Sequence, residues 1–267
     1  MDRNRVARPA RYNAPVLLSI LIALLAPMVA SSAAPSPGGR ADRPGASAES
    51  RASSETSPAA PAGDVDPGEP DAQKLLEEVL RRHAACRDFE ARFTETAVSR
   101  ATGEAPAESG TVSYLRPDMW RWEYRTPEKK LVIVRGKTAA IAVAGETEVS
   151  KYDLDQDGGA SGVSALLAGG EAVARSFSAR FVPPAMGGSP LKDGEAMLKL
   201  VPVTLSDQYA HVLLRVHRKS RTVLEAIVVD PGGNSLRFRF SDLRPNRGLR
   251  PSAFDLPSSG ELSSGEP

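Results

Sequence analysis

Residues 120–125 read WRWEYR, an uninterrupted alternation of aromatic and charged residues. Because successive side chains of a β-strand point to opposite faces, Trp120, Trp122 and Tyr124 are predicted to share one face of a strand. Both tryptophans of the chain therefore lie on the same side. This side is predicted to be either the core of a sheet or the wall of an apolar cavity, and the choice between the two determines the function.

The same period of two recurs before and after this stretch. Short alternating or apolar runs, separated by turn residues, predict about eleven strands. They are placed at 89–98, 110–116, 120–125, 131–134, 138–143, 147–152, 177–182, 196–203, 211–218, 222–229 and 235–241. Short connections between strands with one apolar and one charged face indicate a single antiparallel layer, which at this size curls into a barrel or half-barrel.

Helical spacing appears in two places. The helical spacing of Leu75, Leu76, Val79, Leu80 and His83 predicts an amphipathic helix over 72–86 with Asp71 as its N-cap. Segments 163–168 and 171–175 predict two short helices broken at Gly169-Gly170. These helices are predicted to cover the concave side of the sheet, so the fold class is mainly β with a helical lid.

The N-terminal region predicts export. Four arginines within residues 1–13 precede an apolar run at 16–26 and small residues up to Ala33, the pattern of a secretory signal peptide over 1–33. An uncleaved membrane anchor is the alternative, although the apolar run is short for a span of about 20 residues. Residues 34–70 are rich in Pro, Ser and Ala and are predicted to be a disordered spacer. Residues 71–257 then form one domain, followed by a disordered tail at 258–267.

Composition and motifs exclude several classes of function. A formal net charge of +1 argues against nucleic-acid binding. The single cysteine, Cys86, rules out an internal disulfide and is interpreted as a small buried hydrophobe. No Gly-x-Ser-x-Gly motif surrounds any serine and only three histidines occur, so an enzyme is not predicted.

Two polar segments have a structural and a functional interpretation. Asp153 to Gly158 matches the first half of a calcium loop, but Ser164 stands where the bidentate Glu is required, which favours an Asp-rich turn over a metal site. Arg215, Arg218, Lys219 and Arg221 cluster at a hairpin. A solvated turn is the simpler interpretation, and docking of an acidic partner or membrane surface is the alternative.

A set of short motifs, in constant order through most of residues 72–257, resembles the periplasmic outer-membrane lipoprotein carrier family, LolA. The motifs are FEARFTE at 89–95, Gly110, LRP at 115–117 with Trp120 and Trp122, Pro127, the strand at 132–134, GKT at 136–138, LKLVP at 198–202, IVVD at 227–230 with Gly233-Asn234, and FDLP at 254–257. Their shared order and spacing carry the resemblance, since each motif alone is common. The chain departs from the family at 139–144, where AAIAVA replaces the usual aromatic residues.

The resemblance implies an unclosed antiparallel half-barrel that encloses an apolar cavity for the acyl chains of a lipoprotein. The lipid-binding residues it implies are Trp120, Trp122, Tyr124, Phe89, Phe93, Val132 and Val134. Arg116, in the position of the Arg before Pro, is implied to latch the lid. The resemblance also implies a periplasmic monomer without a cofactor. Its partners would be acylated lipoproteins, an inner-membrane lipoprotein-releasing ABC transporter and an outer-membrane acceptor.

Two other functions are kept open. The same fold occurs in envelope lipid- or lipoprotein-sensing modules, to which the family's regulatory relatives belong. A lipid-ester hydrolase is the third hypothesis, although no catalytic motif supports it.

Overall fold

A computed structural model describes residues 69–145, 149–154, 162–204 and 209–255. The predicted signal peptide, almost all of the spacer, residues 155–158 of the Asp-rich turn and the C-terminal tail lie outside these ranges. Within the described residues, none of the helices combines the length and the apolar character that a membrane span requires.

The described residues form one antiparallel sheet of twelve strands. The strands before the short helices are β1 (Asp88–Ser99), β2 (Gly103–Glu104), β3 (Glu108–Leu115), β4 (Met119–Thr126), β5 (Lys130–Arg135), β6 (Thr138–Val143) and β7 (Ser150–Asp153). The strands after them are β8 (Phe177–Phe181), β9 (Glu195–Pro202), β10 (His211–His217), β11 (Thr222–Val229) and β12 (Ser235–Pro245).

The strand order is β7-β6-β5-β4-β3-β1-β12-β11-β10-β9-β8, with β2 paired to β1 beside this path. Strands β1 and β12, the first and last of these strands along the chain, pair with each other in the middle of the sheet, and Phe93 lies opposite Phe240. Strands β7 and β8 end the order and are not paired with each other, so the sheet does not close. This confirms the predicted unclosed antiparallel architecture.

Three helices pack on the face of the sheet that carries Trp122, called here the inner face. They are α1 (Pro70–Ala84), α2 (Gly162–Ala168) and α3 (Glu171–Arg175), and together they are called the lid. The buried stripe of α1 comprises Ala72, Leu75, Leu76, Val79, Leu80 and His83, and it joins the same hydrophobic core as the inner face. The helix also contacts α2, α3, β8 and β11.

The start of α1 differs from the prediction. Glu69 is the N-cap and Pro70 is in the first turn, so Asp71 lies inside the helix rather than capping it. Proline is well suited to the first turn because the N–H it lacks has no partner within the helix, and Asp71 still interacts favourably with the helix dipole there.

Two short segments of the described chain cover parts of the outer face of the sheet. Residues Pro184–Gly187 pack on β9 and β10, beside the buried outer-face residues Met197, Leu213 and Ile227. Residues Pro251–Phe254 form a short 3-10 helix that packs on β4 and β5. Phe254 is fully buried, and Arg121 on the outer side of β4 donates to the Ala253 carbonyl at 3.3 Å. This cover explains why β5 is apolar on both sides, with Leu131 and Ile133 also buried.

Candidate functional site

The structure brings the seven predicted lipid-binding residues onto the inner face of three strands. Trp120, Trp122 and Tyr124 extend from β4, Phe89 and Phe93 from β1, and Val132 and Val134 from β5. Trp120 lies opposite Val134, and Trp122 lies opposite Val132. All seven side chains are buried. The alternation in the sequence is sufficient for this placement because the period of a strand is two.

Aromatic rings form a continuous layer across the inner face. The ring of Phe93 lies 5.0 Å from that of Trp122 and 4.9 Å from that of Tyr124, centroid to centroid. The ring of Tyr114 of β3 lies 4.4 Å from that of Trp120 at an interplanar angle of 33°, and Phe238 of β12 lies 5.6 Å from Trp122. Tyr114, Phe238 and Phe240 were not among the predicted site residues, although Phe238 and Phe240 follow the same period of two.

In this structure the aromatic layer is packed as a core. Trp122 is 1% exposed and Phe238 is 0% exposed. On β6, where the family resemblance leads one to expect aromatic residues, the inner face carries Ala139 and Ile141. Tyr152 of the neighbouring strand lies beside Ala139 and packs against the same core. A ligand on the inner face must therefore displace either side chains or the lid.

His83 joins two elements of the lid to the sheet. Its Nδ1 lies 3.1 Å from the Leu167 carbonyl at the end of α2, and its Nε2 accepts a hydrogen bond from the Val223 N–H at 3.4 Å. These partners require a neutral ring with the proton on Nδ1. Burial lowers the pKa of His83 to about 4; the bond to Leu167 opposes that shift, and the charge of Arg82 adds to it.

Arg116 contacts the lid from the end of β3. Its Nη2 donates to the Ala84 carbonyl at 2.5 Å and to the Ala168 carbonyl at 3.4 Å, and its Nε donates to the Cys86 carbonyl at 3.2 Å. Ala84 ends α1 and Ala168 ends α2, where helix carbonyls lack intrahelical partners. A guanidinium at two helix C-termini is also favoured by both helix dipoles. One side chain thus ties both helices to the sheet.

A group of polar side chains, called here the polar cluster, is buried at the far end of the aromatic layer. It comprises Glu95, Glu108, Tyr124 and Lys130, each at most 6% exposed. Tyr124 donates to Glu95 at 2.6 Å, and Lys130 Nζ lies 2.6 and 2.8 Å from the two carboxylate oxygens of Glu108. The Lys130 ammonium also lies 4.0 Å from the centre of the Tyr124 ring.

Burial raises the pKa of Glu95 to about 7. The hydrogen bond from Tyr124 and the charge of Lys130 oppose this shift, and the Glu108 carboxylate adds to it. Glu95 and Lys130 were not among the predicted site residues. The signal was nevertheless present, because Glu95 continues the series Phe89, Ala91, Phe93 and Lys130 precedes Val132 and Val134 at the same period.

The basic hairpin is only partly solvated. Arg215 is buried and lies 3.2 Å from Glu225, while Arg221 pairs at 2.7 Å with Glu78 of α1. The Arg218 guanidinium lies 4.8 Å from the centre of the Phe181 ring. Three of the four basic residues therefore have intramolecular partners. In the described part of the chain, His, Cys, Asp and Glu side chains form no group of three placed to hold a metal ion.

The sequence of this chain is similar to those of one known protein family. Residues 84–257 match the family model described as outer membrane lipoprotein carrier protein LolA. The outer-membrane lipoprotein carrier protein of Chromobacterium violaceum is 28% identical over 185 residues, covering 67% of this chain and 82% of that protein. The corresponding protein of Nitrosomonas europaea is 24% identical over 169 residues, covering 63% and 77%.

Among solved structures, a LolA superfamily protein from Nitrosomonas europaea aligns with a TM-score of 0.37 and 12% identity, covering 69% of this chain and 97% of that one.

Proposed function

Because this chain belongs to the LolA family of outer-membrane lipoprotein carrier proteins, we propose that it carries lipoproteins through the periplasm from the inner to the outer membrane. Its cargo is bound by the acyl chains and is not chemically altered. The carriers from Chromobacterium violaceum and Nitrosomonas europaea support the family-level role.

The aromatic inner face is the observation that carries this proposal. Each methylene removed from water contributes about 0.8 kcal/mol, so an acyl chain needs a continuous apolar surface to leave a membrane. The layer formed by Phe89, Phe93, Trp120 and Trp122 supplies such a surface on one side of a single sheet. The buried side of the lid packs against that surface.

Loading requires the lid to move, since the inner face is filled by the protein's own side chains. A ligand shifts the closed-to-open equilibrium only by its difference in affinity for the two states. Acyl chains bind the open state, and a partner that favours the closed state promotes release. An inner-membrane lipoprotein-releasing ABC transporter and an outer-membrane acceptor are the partners proposed for these two steps, with the carrier acting as a periplasmic monomer.

Binding of a fluorescent fatty acid tests the proposal. The wild-type protein is expected to bind the probe. Trp120→Glu is expected to weaken binding at least about tenfold, because a carboxylate on the apolar face is costly to desolvate. Arg125→Glu is the matched control, since Arg125 lies on the same strand with its side chain 64% exposed. A wild-type protein that is folded by circular dichroism and binds no acyl probe would contradict the proposal.

A further inference from the structure

The inner face changes from apolar to polar at one level across four adjacent strands. On β4 the series Trp120, Trp122 ends in Tyr124, and on β5 the series Val134, Val132 ends in Lys130. Tyr124 lies directly opposite Lys130 in the β4–β5 pair.

The other two strands repeat the change. On β1 the residues Phe89, Ala91 and Phe93 lead to Glu95, and Glu95 lies directly opposite Glu108 of β3. The four polar groups therefore form a boundary across these four strands, flanked by the apolar Phe238 of β12 and Val143 of β6.

We propose that the polar cluster is the end of the lipid site and limits the length of acyl chain that the carrier accepts. The inference rests on the proposed function, because it assumes that acyl chains lie on the inner face. It assigns Glu95, Glu108 and Lys130 as specificity-determining residues for cargo.

The cluster is built so that an acyl chain does not displace it. Lys130 is bonded to both oxygens of Glu108, Tyr124 is bonded to Glu95, and all four residues are buried. A methylene group neither donates nor accepts a hydrogen bond, so a chain that separated these partners would leave charges buried without compensation. The chain therefore stops where the cluster begins.

The apolar wall that remains is short. From Trp120 to Tyr124 the strand advances four residues, which is roughly 13 Å at the rise of an antiparallel strand. Arg116 and the ends of the lid helices lie near the opposite end of this wall, beside Tyr114 and Trp120.

A structural role alone does not explain the placement. Replacing a buried ion pair by apolar residues of similar volume is often neutral or stabilising, so the fold does not require charges here. On the outer side of the same strands Arg92 and Arg125 are exposed, whereas the buried Asp88 accepts hydrogen bonds from the Arg247 and Gly248 backbone N–H groups. The buried cluster lies on the side of the sheet where a ligand would lie.

The test measures affinity as a function of chain length in the full-length mature protein. Saturated fatty acids from decanoic to eicosanoic acid displace a fluorescent fatty acid from wild type and from the triple variant Glu95→Leu, Glu108→Leu, Lys130→Met. In wild type we expect a gain of about fourfold for each added methylene, from about 0.8 kcal/mol, up to a limiting length beyond which affinity no longer rises. In the triple variant the limit moves to longer chains.

Two further variants make the result decisive. Glu95→Leu with Tyr124→Phe removes half of the cluster and keeps the Lys130–Glu108 pair, so it should move the limit in the same direction by a smaller amount even if the triple variant does not fold. Arg92→Met with Asp242→Asn removes an exposed ion pair of 3.2 Å on the outer side of the same sheet and should leave the length profile unchanged, because asparagine tolerates the left-handed conformation of residue 242.

The outcomes separate the two proposals. A limiting length that is the same in wild type and in the folded cluster variants overturns the length limit while leaving acyl binding intact. A folded wild-type protein that binds none of the acids overturns both.

Discussion

His83 and Glu95 are two buried side chains whose pKa values are displaced in opposite directions by the same cause. Burial disfavours the charged form of each, which lowers the pKa of His83 from 6.5 to about 4 and raises that of Glu95 from 4.5 to about 7. Because each shift is about 2.5 pKa units, each corresponds to about 3 kcal/mol of pH-dependent stability.

The signs of the two contributions are opposite. The contribution of Glu95 is fully present below pH 4.5 and is lost as the pH rises through 7, because the folded state retains a proton that the unfolded state has released. The contribution of His83 is present above pH 6.5 and is lost as the pH falls through 4. Between pH 4.5 and 6.5 the two slopes nearly cancel.

Replacing either residue alone should therefore make the free energy of unfolding depend on pH in a range where that of the wild-type protein is nearly constant. Glu95→Gln is expected to make the free energy of unfolding rise with pH between 4 and 6.5 by up to about 3 kcal/mol, and His83→Gln to make it fall between 4.5 and 7. Urea unfolding at a series of pH values measures both. Equal pH slopes in both variants and the wild-type protein would contradict the assignment.

At the scale of elements, the lid depends on one close approach between helices. Gly169 has φ +74°, and a Cβ at this position would lie 2.2 Å from the Leu80 carbonyl oxygen and 2.7 Å from the Ala84 nitrogen. The adjacent Gly170 N–H donates to the same Leu80 carbonyl at 3.2 Å. The end of α2 therefore rests directly on the backbone of α1, which only glycine permits.

Gly169→Ala is expected to destabilise the protein by more than the cost of a left-handed backbone conformation, because the added Cβ would also clash with the backbone of α1. Gly103→Ala is the matched control, because Gly103 has φ +83° and no atom within 4 Å of the added Cβ. The control should cost about 1 kcal/mol from the left-handed backbone conformation, and Gly169→Ala at least about twice that. Urea unfolding compares the two, and equal losses would show that the helix contact is unimportant.

How far the elements follow from the sequence depends on whether their neighbours reinforce the local pattern. Strand β11 and helix α3 have the predicted bounds, because an apolar run or a helical stripe ends at turn residues. Strand β12 was predicted to end at 241 but extends to Pro245. Asp242 takes φ +51° and the pairing with β1 shifts register nearby, which interrupts the alternation in the sequence without ending the strand. Strand β2, only two residues long, has no pattern to detect.

The residues of the candidate site also differ in whether the local sequence pattern predicts them. The seven aromatic and aliphatic residues share a face because alternation alone decides it. The polar cluster and the carbonyl partners of Arg116 depend on which strands and helices become neighbours. Glu95 meets Glu108 and Tyr124 only after β1, β3 and β4 are side by side.

On the scale of the whole molecule, Arg116 couples the sheet to the C-termini of two lid helices, α1 and α2. Replacing it with leucine removes the donors to Ala84, Cys86 and Ala168 and leaves the carbonyls at two helix C-termini to water. The closed state loses these bonds and the open state does not. The equilibrium should therefore shift toward the open, cargo-retaining form.

Arg116→Leu is expected to keep the fold, to retain acylated cargo more strongly and to transfer it poorly to acceptor membranes. Circular dichroism, affinity for an acyl probe and a transfer assay measure the three properties. Arg125→Leu is the control, an arginine on the same sheet whose hydrogen bond is to Glu123 rather than to the lid. Transfer by Arg116→Leu at the wild-type rate would show that the residue is structural and not a latch.

The first turn of α1 also covers an edge of the sheet, which bears on self-association. Strand β8 ends the sheet, and both backbone groups of its Ala179 are bonded to the start of α1. The Glu69 N–H donates to the Ala179 carbonyl at 2.9 Å, and the Ala179 N–H donates to the Gln73 side-chain oxygen at 3.1 Å. An uncovered edge strand is a template for a strand from another molecule. A carrier that lifted the whole of this helix away would therefore expose an edge prone to polymerise each time it took up cargo, whereas one that bends beyond Gln73 would keep both bonds to Ala179.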